Sequence, residues 1–237
     1  MANTSGANAA NTDQGLDIHI RHLGSTTRRL VHELCLSVPA GAIHTLMGAS
    51  GSGKSSVLAA VAGTLPAQGS EAGQGLRGDW TVSLNGQCLD ALPTEQRGIG
   101  LLFQDDLLFA HMSVAENLLF AVPAGPQAER RAAVQQALQD AGLGGLGERD
   151  PATLSGGQRA RVALMRALLA QPRALLLDEP FSKLDAALRN QFRELVFAHI
   201  RARGIPALLV THDLADVADP QRLTQLGDAQ PEVKPHA

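Results

Sequence analysis

The chain contains no tyrosine, a single tryptophan and six phenylalanines, so aromatic residues make up only 3% of it. No site here can be built on a phenol ring. Cysteine is nearly as scarce: Cys35 and Cys88 lie far apart and form no metal-type pair. They read as reduced thiols of a cytosolic protein, serving as small apolar residues. An excess of positive charge is missing too. A formal net charge of -3 and a pI near 6.2 give no electrostatic case for nucleic-acid binding. No apolar run approaches the roughly 18 residues that cross a bilayer, so any membrane association must come through a partner. Residues 1–15 have neither a basic start nor an apolar core and do not read as a secretory signal.

What is present is a globular composition, 44% apolar and 18% charged over 237 residues, enough to bury a substantial core. Residues 1–15 are small and polar and are expected to be disordered. Leu16–Ile20 and Val31–Val38 alternate apolar and polar residues, as half-buried strands do. Pro39-Ala40-Gly41 then turns the chain into Ile43–Met47, which feeds a glycine loop and a helix ending near Gly63. A loop is expected over residues 66–78, and Trp80–Leu84 followed by Asn85-Gly86 carries a hairpin signal.

Ile99–Phe103 reads as a short strand, after which the period becomes helical: Ser113–Phe120, Gln127–Asp140 and Ser155–Ala170. Ala174–Leu177 and Ala207–Val210 are continuous apolar runs, expected of parallel strands buried on both faces, with an amphipathic helix over Leu188–Arg203 between them. Strands alternating with helices give an α/β fold, with a helical insertion between about residues 105 and 160. The domain is expected to span 16–219, followed by a polar tail over 220–237.

Three segments carry chemistry. Gly48-Ala49-Ser50-Gly51-Ser52-Gly53-Lys54-Ser55, with Ser56 behind it, fits the G-x-x-x-x-G-K-S/T phosphate loop and stands between an expected strand and helix. Its amides and the helix N-terminus suit an anion; Lys54 should reach the β- and γ-phosphates and the Ser55 hydroxyl should bind Mg²⁺. Asp178 and Glu179 end an apolar strand: Asp178 is placed to hold Mg²⁺ and Glu179 to polarise an attacking water. Leu154-Ser155-Gly156-Gly157-Gln158 opens a helix whose small residues leave amides free, a second anion site on the same chain. One nucleotide cannot easily touch both anion sites within one subunit, so two copies sharing two ATP is the economical reading.

Taken together, these segments resemble the ATP-binding subunit of an ABC transporter, of the bacterial uptake type that works with a separate solute-binding protein. The match runs from about Leu16 to Val217. The resemblance implies a P-loop NTPase core with an antiparallel β subdomain and a helical subdomain. It implies an ATP-hydrolysing homodimer at the cytoplasmic face of the inner membrane, held there by integral permease subunits and driving import. Gln104 matches the glutamine that senses Mg²⁺ and the attacking water, and His212 matches the switch histidine that contacts the γ-phosphate. Ser182-Lys183-Leu184-Asp185 matches the loop that crosses the dimer interface.

The same tetrapeptide also partly fits the guanine-reading N/T-K-x-D of GTPases, but it directly follows the acidic strand, with no separate strand before it. Leu107–Met112 lies where the family receives a short helix of the membrane subunit, although core packing explains it equally well. The alternative reading, a soluble ABC-type ATPase acting on DNA or ribosomes, usually carries coiled-coil insertions or fused halves, and neither is here. Two departures stand out. Ser25 occupies the place of the usual adenine-stacking ring, leaving Arg28 as a cation to cover the base. Lys183 replaces a small residue and is expected to face solvent.

Overall fold

The computed structural model describes residues 14–25, 28–65, 76–103, 105–227 and 230–231. Two five-stranded sheets organise them. The first is antiparallel, in the order β10-β2-β1-β4-β5, and is built from β1 (Gly15–Gly24), β2 (Arg28–Pro39), β4 (Arg77–Leu84), β5 (Gln87–Cys88) and β10 (Gln230–Pro231). Its inner face follows from sequence alternation. Leu16, Ile18 and Ile20 are buried opposite Val38, Leu36 and Leu34, while Asp17 and Cys35 point outward. Asn85 and Gly86, both with positive φ (52° and 75°), close the β4–β5 hairpin as their residue types require.

The second sheet is parallel, in the order β6-β7-β8-β3-β9: β3 (Ile43–Met47), β6 (Ile99–Leu102), β7 (Ala174–Asp178), β8 (Ala207–Thr211) and β9 (Leu223–Gln225). Its continuous apolar runs divide by pleat. Ala174, Leu176, Leu208 and Val210 face the antiparallel sheet and α1 (Lys54–Ala62). Leu175, Leu177, Ala207 and Leu209 face α2 (Val114–Ala121), α3 (Gln127–Asp140), α4 (Gly156–Leu169) and α5 (Ala186–Ala202). Each such leucine removed from water is worth about 1.5–3 kcal/mol, which fixes this sheet as the spine of the molecule.

The expected polar tail over 220–237 is corrected in part. Leu223–Gln225 pairs with β3 as an edge strand, too short to show any periodicity in sequence. The readings of residues 1–13 and of 66–75 lie outside the described residues, as does Gln104. Among the described residues no helix is long and apolar enough to cross a membrane.

Sheet order decides where chemistry can gather. β7, β8 and β3 are adjacent and parallel, so the segments leaving their C-terminal ends come together: Glu179 after β7, His212 after β8 and the glycine loop after β3. In open α/β sheets this is where ligands bind.

Candidate nucleotide site

The loop after β3 wraps back on itself before α1 begins. Gly53 caps α1 with φ 101°, and a Cβ there would sit 3.0 Å from Leu30 Cβ, so only glycine fits. Lys54 is buried, and its Nζ donates to the carbonyls of Gly48 (2.7 Å) and Ala49 (2.9 Å), which hold the ammonium at the mouth of the loop. A cavity of ≈ 710 Å³ opens over this loop, lined by residues 48–51 and 53–56, by Asp178, Glu179 and His212, and by Arg28 and Leu30. Of the expected phosphate-loop residues, Ser52 does not line it. Its side chain is buried, and its amide donates to Ala49 O at 3.1 Å.

Asp178 sits half-buried at the end of β7. Burial raises its pKa above the ordinary carboxyl range; the Ser55 hydroxyl, donating to it, opposes this, Glu179's like charge adds to it, and Lys54 opposes it. A partly desolvated carboxylate beside one hydroxyl and another carboxylate is a group that gains from a cation. Ser55 and Asp178 therefore fit a divalent ion that keeps most of its ligands from phosphate and water. Among the described residues no cluster of three or more His, Cys, Asp or Glu side chains could hold a metal by itself.

Glu179 adopts a left-handed backbone conformation, φ 47°, uncommon outside glycine and concentrated at functional positions. Its amide donates to Val210 O of β8 at 2.9 Å, which ties the two strand ends together. Its carboxylate meets His212: Nδ1 lies 2.9 Å from Glu179 Oε1, with the glutamate side chain 17% and the histidine 64% exposed. Thus the acid and the histidine, 33 residues apart in sequence, form one unit facing the phosphate loop.

The other anion element is the tip of α4. Ser155 Oγ accepts from Gln158 N (3.2 Å) and Gln158 Oε1 accepts from Ser155 N (2.9 Å), a complete capping box. This occupies both side chains and leaves the Gly156 and Gly157 amides at the tip. A Cβ on Gly157 would press to 3.2 Å from Lys183 O, whereas one on Gly156 would make only an ordinary 3.9 Å contact with Arg159. None of residues 154–158 lines the phosphate-loop cavity. Asp185, also expected at the nucleotide, caps α5 through Leu188 N at 3.0 Å.

Lys183 is exposed, as expected, and it also makes an ion pair. Its Nζ lies 3.5 Å from Asp106, which also pairs with Arg159 at 3.4 Å. Asp106 was not singled out in the sequence, since its partners are 53 and 77 residues away and no local pattern joins them. Arg28 lines the same cavity, its guanidinium 3.7 Å from the position of a Cβ on Gly51.

Leu107–Met112 is held by polar contacts together with partial burial of Leu108 against the helical core. Asn117, fully buried, accepts from Phe109 N and donates to the carbonyls of Phe109 and Met112, and Arg166 donates to Leu107 O. An apolar groove of ≈ 310 Å³ results, bordered by Phe103, Leu107, Phe109 and Phe120, of which Leu107 is 57% and Phe120 64% exposed.

Comparison with known proteins identifies the family. A family model described as ABC transporter matches residues 31–182. The chain is 55% identical over 190 residues to YnjD of Escherichia coli strain K12, named as an uncharacterized ABC transporter ATP-binding protein; this covers 80% of the chain and 84% of YnjD. It is 40% identical over 185 residues to the sulfate/thiosulfate import ATP-binding protein CysA of Mycobacterium bovis, covering 77% of the chain and 50% of CysA. The dimeric post-hydrolysis structure of the ATP-binding cassette MJ0796, bound to ADP and Pi, superposes with TM-score 0.74 at 24% identity, covering 91% of the chain and 98% of the cassette, a likeness of fold. With the family model matching 31–182 of 237 residues and YnjD matched over most of both chains, the chain belongs to the ABC transporter family, as one of its ATP-binding proteins.

Proposed function

We propose that this chain is an ATP-hydrolysing motor subunit that closes as a homodimer around two ATP molecules and drives solute import through separate permease subunits. The observation that carries the reading is the division of the anion sites. Phosphate loop, Asp178 and the Glu179–His212 pair share one cavity, while the Gly156 and Gly157 amides stand outside it. A second copy, turned to face the first, brings those amides to the open side of the nucleotide.

In this account the loop amides and the α1 N-terminus cradle the phosphates. Lys54 exchanges two neutral carbonyl partners for a phosphate oxygen, a stronger, charge-assisted bond. Glu179 accepts the proton of the attacking water, and His212, bonded to it, fixes the direction of the carboxylate and faces the γ-phosphate. Mg²⁺, when bound, neutralises charge on the β- and γ-phosphates, and Ser55 and Asp178 are the residues that would hold it. Gln104 belongs to this group by sequence pattern.

The groove beside Phe120 is where a short helix of the permease would seat, because its apolar side chains are exposed and the loop beneath them is braced. That contact would hold the chain at the cytoplasmic face of the inner membrane, and a separate solute-binding protein would deliver the cargo. The import direction rests on relatives such as CysA, named for sulfate/thiosulfate import.

The test is Glu179→Gln. Loss of a general base costs about 10²–10⁴-fold in rate, so phosphate release should nearly cease while ATP affinity is kept. Full hydrolysis by this variant would remove Glu179 from the role.

A further inference from the structure

His212 has a mostly exposed ring, yet it holds a 2.9 Å contact to Glu179. Its position must therefore come from the backbone on either side, and both neighbours belong to a polar network that the hydrolytic reading leaves unused. At its centre is Asp216, whose side chain is only 2% exposed. Arg189 of α5 grips it with both Nε (3.1 Å) and a terminal nitrogen (2.5 Å). Arg193, one turn on, approaches the same carboxylate at 3.8 Å and donates to the Ala215 carbonyl.

From Asp216 the network reaches both sides of His212. Thr211 Oγ1, immediately before the histidine, donates to Asp216 Oδ2 at 3.1 Å and accepts from the Asp213 amide at 3.1 Å. Asp213, immediately after it, pairs with Arg189 at 2.8 Å and caps the following turn through Ala215 N at 2.9 Å. One arginine thus fixes the residues flanking His212. That arginine lies one turn into α5, whose N-cap is Asp185.

Burying a carboxylate and its ion pair adds little to stability, and apolar packing of similar volume usually does as well or better. What such a network supplies is a defined geometry. We infer that the Asp216-centred network of Arg189, Arg193 and Thr211 is a positioning device that holds His212 against Glu179, with Arg189 as its principal positioning residue. The inference rests on the reading of Glu179 and His212 as the pair that orients the attacking water.

The experiment is a double-mutant cycle on the full chain, measuring phosphate release and ATP binding for Asp216→Asn, Arg189→Gln and Thr211→Val, each alone and with His212→Ala. Each single variant should lower kcat by about tenfold while KM and the ATP dissociation constant stay within about twofold, since the nucleotide contacts are untouched. In the His212→Ala background each should add less than about twofold, because a device that acts through the ring has nothing left to position. An equal loss in both backgrounds, or an effect on KM alone, overturns the inference. If Asp216→Asn does not fold, Thr211→Val, a change of one hydroxyl to a methyl, completes the same cycle. If His212→Ala alone retains the original kcat, the role of His212 itself fails, a result distinct from additivity between the two sites.

Discussion

Asp178 shows how a binding residue can cost the empty protein stability. Burial raises its pKa, against the Ser55 hydroxyl and Lys54 and with Glu179's charge. An acid whose pKa rises on folding holds its proton more tightly when folded. The stability associated with the protonated form is complete below the unfolded pKa and lost as pH climbs through the folded one. Asp178→Asn should therefore raise the melting temperature of the nucleotide-free chain at neutral pH, and the gain should shrink as pH falls toward about 3.9, the unfolded value. The same variant should lose Mg²⁺-dependent hydrolysis. Thermal melts across pH check the first part; a lower melting temperature at neutral pH would contradict it. If Arg28 covers the base, Arg28→Ala should weaken nucleotide binding by about 1 kcal/mol, the scale of an exposed cation–π contact. Titration with a fluorescent ATP analogue reads this directly, and an unchanged affinity would take Arg28 out of base recognition. Lys54, Ser55, Asp178 and Glu179 were legible because each sits at a fixed offset from a strand end. Asp106 and Asp216 were not, because their meaning lies in arginines and a lysine from distant segments.

Helix α4 has an observed capping role and a proposed anion-binding role at one end, and the two can be separated. Ser155 completes a capping box, so Ser155→Ala should cost about 1 kcal/mol of stability, seen in the isolated chain without nucleotide. Ser155→Asp keeps an N-cap acceptor and should preserve that stability. It also places a negative charge where the partner's triphosphate would approach, so ATP-driven association should fail. Chemical denaturation and sedimentation of the two variants distinguish these effects. Association undiminished in Ser155→Asp would deny the α4 tip its anion role. The helices themselves were readable from caps and period: Gln127–Asp140 stands where its period put it, and β7 and β8 were recognisable as unbroken apolar runs. β9 was hidden because three residues carry no alternation, and its place depends on the free edge of β3.

For the whole molecule, the apolar groove is the proposed link between the ATP site and the membrane. It lies between β6, the loop after it and α4, and Phe120 and Leu107 offer their side chains to solvent there. Replacing both with Asp should leave the chain's own ATP affinity unchanged and abolish its recovery with the permease subunits in a pull-down from membranes. Retained recovery would move the docking surface elsewhere. Closure, as proposed, depends on two chains jointly holding each nucleotide. The most direct measurement is the solution mass of Glu179→Gln, by analytical ultracentrifugation, with ATP and Mg²⁺. The expected result is a dimer that dissociates when ATP is removed and does not form when Ser155→Asp is added. A monomer under those conditions, or a dimer indifferent to nucleotide and to Ser155→Asp, would contradict it.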